Sequence, residues 1–428
     1  MKLNTTRWAA LAAAVVLAAG CSSSKPSGTS NSSRTSNSSG SPSTSSASGT
    51  SNVSTTSYTI GVLTDLTGVL ANTQHSVPDG VRGAIGLYNS QGYSLKYVLA
   101  DTGTTPAGAL SAAQKLVEQD HVFAVILISG IGFAAAPYLT AHNIPVIGAN
   151  IDSTEWITSR NMFSVFGTAN YSEVFTTTGK LLSLLGAKNF AAVGYSVSPA
   201  SAAAAKSAAL SAQLAGVKVG YQNTQFPFGS TNVGPAVIAM KSAGVDSFIG
   251  ELEQSTSFAI INGLRQAGDT LKAPIMAAGY GGDLRSAGPA TDLAAQGSYF
   301  VLGYEPIELH TAATEQFANA MKTYAGVSAD QITFEQYHAY ASVVAFVDGL
   351  KLAGAHPTQA QFINAMLGIR SFDAAGLYGS NPIGFAMDQR GSATTSNCTY
   401  VVKWVGSSFE LVPGAEPICG SLVPGKSA

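Results

Sequence analysis

The chain has 428 residues, of which 46% are hydrophobic and only 11% are charged, and its formal net charge at pH 7 is −2. This balance excludes the basic surface with which proteins bind nucleic acid or anionic lipid headgroups. No nucleic-acid partner is therefore expected.

The first 20 residues predict a bacterial secretion signal of the lipoprotein type. Lys2 and Arg7 precede the apolar stretch Trp8–Ala19, which is shorter than the roughly 20 residues that a membrane-spanning helix needs. Ala18-Ala19-Gly20-Cys21 then resembles a lipobox. We expect Cys21 to carry lipid and to anchor the protein to the outer face of the cell membrane. Ordinary secretory cleavage near Cys21 is the alternative.

Residues 21–57 are expected to form a disordered tether. Between Ser22 and Ser57 almost every residue is Ser, Thr, Asn, Gly or Pro. Such a segment buries too little apolar surface to offset the entropy lost on ordering. The tether would carry the rest of the protein away from the membrane and through a cell wall.

From Tyr58 onward, short β-branched runs alternate with longer Ala-rich helical segments, which predicts an α/β fold with parallel sheets covered on both faces. The length favours two lobes. The first series comprises strands Tyr58–Thr64, Leu95–Ala100, Val122–Ile128 and Ile144–Gly148, with helices Val81–Asn89, Pro106–Gln119 and Phe133–His142. The second comprises strands Phe190–Tyr195, Val217–Tyr221, Ser247–Gly250, Pro274–Ala278 and Ser298–Gly303, with helices Tyr171–Leu185, Ala200–Leu214, Val233–Ala243 and Ser257–Ala267.

A further helix is predicted over Thr333–Leu352. Its Tyr337, Tyr340, Val344 and Val347 recur at helical spacing, which is typical of a core stripe.

Two cysteines near the C-terminus predict a disulfide in an exported protein. Between Cys398 and Cys419, the β-prone runs Tyr400–Val405 and Phe409–Val412 flank Gly406-Ser407-Ser408 and indicate a hairpin. The hairpin would bring the two cysteines together at its outer end. Two reduced thiols that bind a metal are the alternative, but neighbouring His or Cys ligands are lacking. No metal site is expected.

A series of motifs carries a resemblance to a known family. In order they are Ile60–Gly68, Gly83-Ala84 with Asn89, Asp101, Ala112–Val117, Ser129, Ile144–Ile147 and Leu264–Gly268. Their order and spacing resemble the type I periplasmic binding proteins, the Leu/Ile/Val-binding family of ABC importers, over nearly the whole mature chain. The resemblance implies two doubly wound Rossmann-like lobes, joined by three crossovers and closing on a small-molecule ligand. It also implies a monomer whose partner is an ABC permease in the cytoplasmic membrane.

The expected crossovers are near Phe166-Gly167, at Tyr304-Glu305-Pro306 and within Gly376–Pro382. Lobe 1 would then comprise residues 58–166 and 305–375, and lobe 2 residues 167–304 and 376–428. In open α/β sheets ligands bind beyond the carboxyl ends of the strands, so the cleft is expected there.

In lobe 1 the resemblance implies a ligand-binding loop after the third strand. Ser129 matches the position whose hydroxyl and backbone hold the ligand carboxylate, and Gly130 and Ile131 follow it; a simple helix N-cap is the alternative for Ser129. Asn150 and Asp152 stand in the next contact loop, where branched-chain binders have a small residue and a threonine.

In lobe 2 the expected ligand contacts are altered. Tyr195 is the nearest candidate for the family's aromatic contact, and it serves only if its ring turns inward. Tyr280 stands where an acidic residue normally meets the ammonium of an amino acid. Asp283, Glu251 and Glu253 are candidates to compensate, although each is equally compatible with a solvated loop. Because an unmatched buried charge is costly, the solute stays open among amino acids, amides and other small organic molecules.

An enzyme is the remote alternative. Gly130-Ile131-Gly132-Phe133-Ala134-Ala135 follows a strand with Asp152 twenty residues beyond Gly132, a weak dinucleotide-binding pattern. It follows the third strand of its lobe rather than the first. No Gly-x-Ser-x-Gly or His-Glu-x-x-His motif is present, so neither catalytic residues nor a cofactor are expected.

The sequence therefore predicts an extracytoplasmic, lipid-anchored substrate-binding protein of an ABC importer, which captures an amino-acid-like or other small organic solute. A ligand-sensing lipoprotein that presents a small molecule to a signalling receptor is the alternative.

Overall fold

The computed structural model describes residues 56–149, 153–166, 172–390, 396–412 and 416–428. The predicted signal, Cys21 and nearly all of the tether lie outside the described residues, as do Asn150 and Asp152. None of the described helices combines the length and the apolar character that crossing a bilayer requires.

The first sheet has five parallel strands in the order β2-β1-β3-β4-β5. They are β1 (Ser57–Thr64), β2 (Ser94–Asp101), β3 (Ala124–Ile128), β4 (Val146–Ala149) and β5 (Met162–Ser164). The four strands of the first predicted series are all present. The fifth strand has only three residues, too few for a periodic pattern to reveal it.

The second sheet is mixed, in the order β6-β14-β12-β11-β10-β9-β7-β8, with β13 paired to β12. Its strands are β6 (Glu173–Phe175), β7 (Asn189–Tyr195), β8 (Lys218–Phe226), β9 (Ser247–Glu251), β10 (Ala273–Met276), β11 (Tyr299–Leu302), β12 (Ser396–Val405), β13 (Ser408–Leu411) and β14 (Ile418–Ser427). The five predicted strands form its parallel part, from β7 to β11. The later strands add antiparallel pairs, of which the sequence predicted only the hairpin of β12 and β13.

Helices flank both sheets. They are α1 (Ala71–Gln74), α2 (Val77–Ser90), α3 (Pro106–Glu118), α4 (Ala136–Ala141), α5 (Glu155–Thr158), α6 (Thr177–Leu184), α7 (Pro199–Leu214), α8 (Gly234–Ala243), α9 (Gln254–Gln266), α10 (Gly282–Ser286), α11 (Pro289–Ala295), α12 (Ala312–Ala320), α13 (Phe334–Ala353) and α14 (Gln359–Leu367).

Two predicted helices need correction. The segment expected as the helix Phe133–His142 is a 3-10 turn over Gly132–Ala134 followed by the short α4. Pro137 is the second residue of α4, and its missing N–H prevents one continuous helix. The helix expected from Tyr171 begins only at Thr177, because residues 173–175 form β6 and pair with β14.

Helix α13 is buried along almost its whole length. A capping box fixes its beginning: the Thr333 hydroxyl accepts the Gln336 N–H, and the Gln336 side chain accepts the Thr333 N–H. The helix packs on α2, β3 and β4 of the first sheet. The side chains predicted as a core stripe are all buried: Tyr337, Tyr340, Val344 and Val347.

The predicted crossover segments contact one another. The Tyr378 hydroxyl donates to the Val165 carbonyl oxygen, and the Glu305 N–H donates to the Leu377 carbonyl oxygen at 2.7 Å. Ala374 and Ala375, just before them, have left-handed backbone with φ of 52° and 56°. This conformation costs a residue with a Cβ about 1–2 kcal/mol. The junction between the sheets is therefore tied together but locally strained.

The C-terminal cysteines form the predicted disulfide, Cys398 to Cys419. The predicted hairpin is also present, as β12 paired with β13. The disulfide does not close that hairpin, because Cys419 lies on β14, directly opposite Cys398 of β12. It therefore joins two strands of the second sheet.

Replacing both cysteines with serine is expected to lower the free energy of unfolding by about 3 kcal/mol. The disulfide spans a sequence separation of 21 residues, and opening a loop of that size increases the entropy of the unfolded chain. Urea unfolding of the oxidised protein and of the double variant would measure the difference. Chemical reduction of the wild type is the matched control, and equal midpoints in all samples would contradict the prediction.

Candidate functional site

The first turn of α13 lies against the second sheet's loops. Gly281 and Thr333 form an isolated antiparallel bridge, and the Gly282 N–H donates to the Ile332 carbonyl oxygen at 3.0 Å. Gly281 follows the carboxyl end of β10 and leads into α10. A loop at the carboxyl edge of the second sheet thus meets a helix that packs on the first sheet.

The same turn of α13 is bound from the first sheet's side. The Gln74 Nε2 donates to the Glu335 Oε1 at 3.1 Å, and the hydroxyl oxygens of Ser76 and Thr333 lie 2.7 Å apart. Gln74 ends α1, which follows the carboxyl end of β1. Loops from the carboxyl edges of both sheets therefore converge on α13, where open α/β sheets bind ligands.

Asp65 follows β1 and is fully buried. Its carboxylate accepts the Ser129 hydroxyl at 2.7 Å, the Gly130 N–H at 2.9 Å and the Thr102 hydroxyl. Burial raises the pKa of Asp65, these hydrogen bonds oppose the rise, and the negative charge of Glu335 adds to it. Asp65 is thus a buried acid held in place by three donors.

These contacts show that hydrogen-bonding groups of the predicted lobe 1 residues are already used within the protein. The Ser129 hydroxyl donates to Asp65 and accepts the Ile131 N–H at 3.2 Å, and the Gly130 N–H also points at Asp65. The structure therefore brings Ser129, Gly130 and Ile131 together at the expected edge. At this edge the Ser129 hydroxyl and the Gly130 N–H donate to Asp65, a carboxylate of the protein itself.

A second buried polar group, which we call the α13 cluster, consists of Gln74, Asp283, Glu335 and His338. All four side chains are at least nine-tenths buried. The His338 Nδ1 lies 3.0 Å from the Glu335 Oε2. Burial raises the pKa of Asp283 well above its ordinary value, and the charge of Glu335 raises it further. Three buried atoms of the cluster have no hydrogen-bond partner: Gln74 Oε1, Asp283 Oδ1 and His338 Nε2.

Aromatic rings surround the imidazole of the α13 cluster. The ring centroid of His338 lies 4.6 Å from that of Phe334, 5.2 Å from that of Phe166 and 5.5 Å from that of Tyr304. The Tyr304 hydroxyl donates to the Phe334 carbonyl oxygen at 2.9 Å, which fixes that ring. Phe166 is the accessible member, at 37% exposed.

Tyr195 is buried, and its hydroxyl is bound within the protein. It donates to the Thr256 hydroxyl at 3.1 Å and accepts the Glu253 N–H at 3.4 Å. The Glu253 carboxylate accepts the hydroxyls of Ser255 and Thr256 at the beginning of α9. Both residues therefore order the loop after β9.

Glu251 ends β9, and its carboxyl group has a strongly raised pKa. Part of the residue remains accessible, yet its carboxyl group lies deep enough for burial to raise its pKa to about 7. Of the lobe 2 acids predicted from the sequence, Glu251 and Asp283 therefore lie in environments that disfavour a free carboxylate.

Replacing Glu251 with glutamine is expected to remove a pH dependence of stability. The pKa is about 7 in the folded protein against 4.5 for an ordinary Glu, so the folded state holds the extra proton between these values. Wild-type stability should therefore fall as pH rises from 5 to 8, and the variant should gain about 2 to 3 kcal/mol relative to it. Urea unfolding at both pH values measures this. Glu410→Gln, which removes an exposed carboxylate, is the control; parallel pH profiles of E251Q and wild type would contradict the assignment.

Tyr280 does not present its hydroxyl to a ligand. The hydroxyl donates to the Glu308 Oε2 at 2.5 Å and accepts the Ile307 N–H at 3.2 Å, and the ring packs on Phe409 at 4.8 Å. It therefore holds the segment that directly follows the second crossover.

Sequence analysis missed Asp65, Gln74, Glu335 and His338 as site residues. One signal was present in the sequence. Glu335 and His338 are polar residues three positions apart at the start of an otherwise apolar helix. Such a pair lies on one helix face and requires a polar partner when buried.

The weak dinucleotide pattern after β3 has a different structure from a phosphate-binding loop. The Gly130 N–H is bound to Asp65, and the following helix α4 has only six residues. Among the described residues, no group of three or more His, Cys, Asp or Glu side chains is arranged to hold a metal ion.

Comparison with known proteins gives a family match over most of the chain. Residues 57–408 match a family model described as periplasmic binding protein. No curated protein sequence matches the chain.

Solved structures share the fold at low identity. A leucine-binding protein, LivK, from Thermotoga maritima has a TM-score of 0.69 and 16% identity, covering 84% of this chain and 98% of its own. An ABC transporter solute-binding protein from R. palustris in complex with benzoate has a TM-score of 0.69 and 17% identity, covering 86% and 98%. A fatty acid ABC transporter substrate-binding protein from Thermomonospora curvata has a TM-score of 0.67 and 19% identity, covering 84% and 92%. All three support the two-lobe α/β fold.

Proposed function

Since the chain belongs to the periplasmic binding protein family, whose members bind solutes rather than catalyse reactions, we propose that it is the extracytoplasmic substrate-binding protein of an ABC importer. It captures a small organic solute between two lobes and delivers it to an ABC permease. The observation that carries this proposal is the convergence on α13 of loops from the carboxyl edges of both sheets.

We assign residues 58–166 and 305–375 to lobe 1, and residues 167–304 and 376–428 to lobe 2. The first sheet is built from residues 57–164, and α13 packs on it. The second sheet is built from residues 173–302 and 396–427. The contacts among the crossovers then form the hinge, and solute binding favours the closed arrangement of the lobes because it adds contacts that the open one lacks.

We propose that Cys21 carries lipid and holds the monomer at the outer face of the cell membrane, with residues 22–57 as the tether. The support is the signal pattern and the composition of the tether. Cys21→Ser in the full chain should move the protein from the membrane fraction to the soluble fraction. Cys398→Ser is the matched control and should stay with the membrane. Equal partition of both variants would exclude the anchor.

We propose an amino-acid-like or other small organic solute. Proteins of this fold include a leucine-binding protein, a benzoate complex and a fatty acid transporter component, so the fold is compatible with several solute classes. The residues of the cleft must therefore decide the class.

A thermal-shift screen of the full-length chain tests solute binding. The panel contains amino acids, amides, amines, sugars, aromatic acids and fatty acids. A solute at 100 times its Kd adds about 2.7 kcal/mol to the stability of the folded state, which raises Tm visibly. The rise should disappear in Asp283→Ala and persist in Asp348→Asn, which alters an exposed ion pair on α13. If no compound raises Tm, the proposal fails.

A further inference from the structure

We propose that the solute carries a cationic nitrogen head group, such as a protonated amine, bound by the α13 cluster, and presents no carboxylate to the loop after β3. The inference rests on the proposed function, since it names the solute class of the same cleft.

The first argument is a set of buried acids with no lysine or arginine paired to them. Asp65, Asp283 and Glu335 are all buried, and the charge of Glu335 raises the pKa of both aspartates. The Lys and Arg ion pairs among the described residues engage other carboxylates: Asp79, Asp120, Asp246, Asp348 and Asp388. Within the cluster the basic side chain is His338, whose Nδ1 hydrogen-bonds Glu335 and whose ring supplies a positive charge only when both nitrogens carry protons. Buried carboxylates without a fixed cation favour a ligand that supplies one.

The second argument is the set of unpartnered buried atoms. A carboxylate only accepts hydrogen bonds, so Glu335 requires that Gln74 donate through Nε2 and that the His338 Nδ1 carry its proton. In the neutral imidazole this leaves the Gln74 Oε1 and the His338 Nε2 as acceptors. The Asp283 Oδ1 is a third acceptor, and all three are buried without a partner. Gln74 and His338 both bind Glu335, and Asp283 follows the loop that bridges to Thr333 at the start of the same helix. Unpartnered acceptors on these side chains suit the N–H donors of an ammonium group.

The third argument is the aromatic wall. Phe166, Phe334 and Tyr304 lie around His338 with ring centroids 4.6–5.5 Å from it, and Phe166 is the accessible one. Faces of aromatic rings attract organic cations and repel anions. The aromatic wall therefore also favours a cationic solute.

The fourth argument is the loop after β3. Ser129, Gly130 and Thr102 donate to the Asp65 carboxylate, so these donors are already used. A solute carboxylate at this loop would meet a buried negative charge in place of free donors, and like charges at close range repel. Asp65 thus occupies the position that the family resemblance assigned to the carboxylate of the ligand.

Two sets of solutes, each with one shared side chain and different charged groups, test the inference. The full-length chain is titrated with 3-methylbutylamine, 4-methylpentanoate and leucine, then with 2-phenylethylamine, 3-phenylpropionate and phenylalanine; putrescine, agmatine and choline extend the cation series. Thermal shift and calorimetry give Tm and Kd. The expected result is that one or more compounds of the amine series raise Tm and that the matched carboxylates do not.

Substitutions in the α13 cluster test whether the amine binds there. Asp283→Asn and Glu335→Gln should each raise the Kd of the amine about tenfold or more, since each removes a charge that faces the cation. Asp348→Asn on the same helix should leave the Kd unchanged. Circular dichroism confirms that each variant is folded, and if Glu335→Gln is not, Asp283→Asn alone carries the test.

The outcomes separate this inference from the proposed function. A Tm rise with carboxylates, zwitterions or uncharged compounds but with no amine overturns the inference and leaves solute binding standing. Amine binding that survives both cluster variants also overturns it. No Tm rise with any compound, including the wider panel, overturns the proposed function and the inference together.

Discussion

Gly281→Ala is expected to lower the free energy of unfolding by about 4 kcal/mol and to abolish solute binding. Gly281 has φ of 75° and ψ of −131°, a region that only glycine adopts readily. A Cβ built there would lie 1.8 Å from the Ile332 carbonyl oxygen. Backbone strain and this clash both act on the bridge between Gly281 and Thr333, so the loop after β10 must move away from α13.

Gly288→Ala separates the two causes. Gly288 has φ of 86°, but a Cβ there would meet no atom within 4 Å. Its ψ of 169° lies in a region that is essentially restricted to glycine, so the substitution measures backbone strain alone, which costs about 1–3 kcal/mol. Urea unfolding and the solute-induced rise in Tm are measured for both variants. If Gly281→Ala destabilises no more than Gly288→Ala and still binds solute, the contact between α10 and α13 does not support the site.

Asp65→Ala is expected to cost about 3 to 5 kcal/mol. The substitution leaves the Ser129 hydroxyl, the Thr102 hydroxyl and the Gly130 N–H buried without their acceptor, and each unsatisfied donor costs about 1–3 kcal/mol before relaxation. The loss should appear as a lower urea midpoint.

Asp65→Asn is the matched variant. Its amide oxygen can still accept the Gly130 N–H, and its amide group can donate to a rotated hydroxyl, so we expect a cost below about 2 kcal/mol. Equal destabilisation by alanine and asparagine would mean that the charge of Asp65, rather than its hydrogen bonds, stabilises the loop.

The sequence predicted the parallel part of both sheets because their strands are short β-branched runs with turns on either side, as in β1 and β3. Strand β14 was missed for a physical reason. It contains Pro424 and Gly425, most of its residues are accessible, and only pairing with β12 and β6 makes it a strand. The disulfide pair was predicted because the cysteines are few, but their position on β12 and β14 depends on that missed strand.

The site was predicted at the level of loops but not of contacts. Ser129 and Asp283 were chosen because they follow strands, and both lie at the expected edges. The contact between Gln74 and Glu335 joins residues 261 positions apart, so no local pattern reveals it. Tyr280 was predicted to face the ligand, but its hydroxyl binds Glu308, in the turn that follows the second crossover.

The strand order also sets the order in which the two sheets can assemble as the chain emerges during export. All strands of the first sheet come from residues 57–164, whereas the second sheet places β14, residues 418–427, between β6 and β12. Before residues 418–427 have emerged, β6 lacks β14, its partner among the described strands, and β12 lacks one of its partners, although β7 to β11 can already align. Completion of the second sheet is therefore a late event, and the disulfide between Cys398 and Cys419 cannot form before the same step.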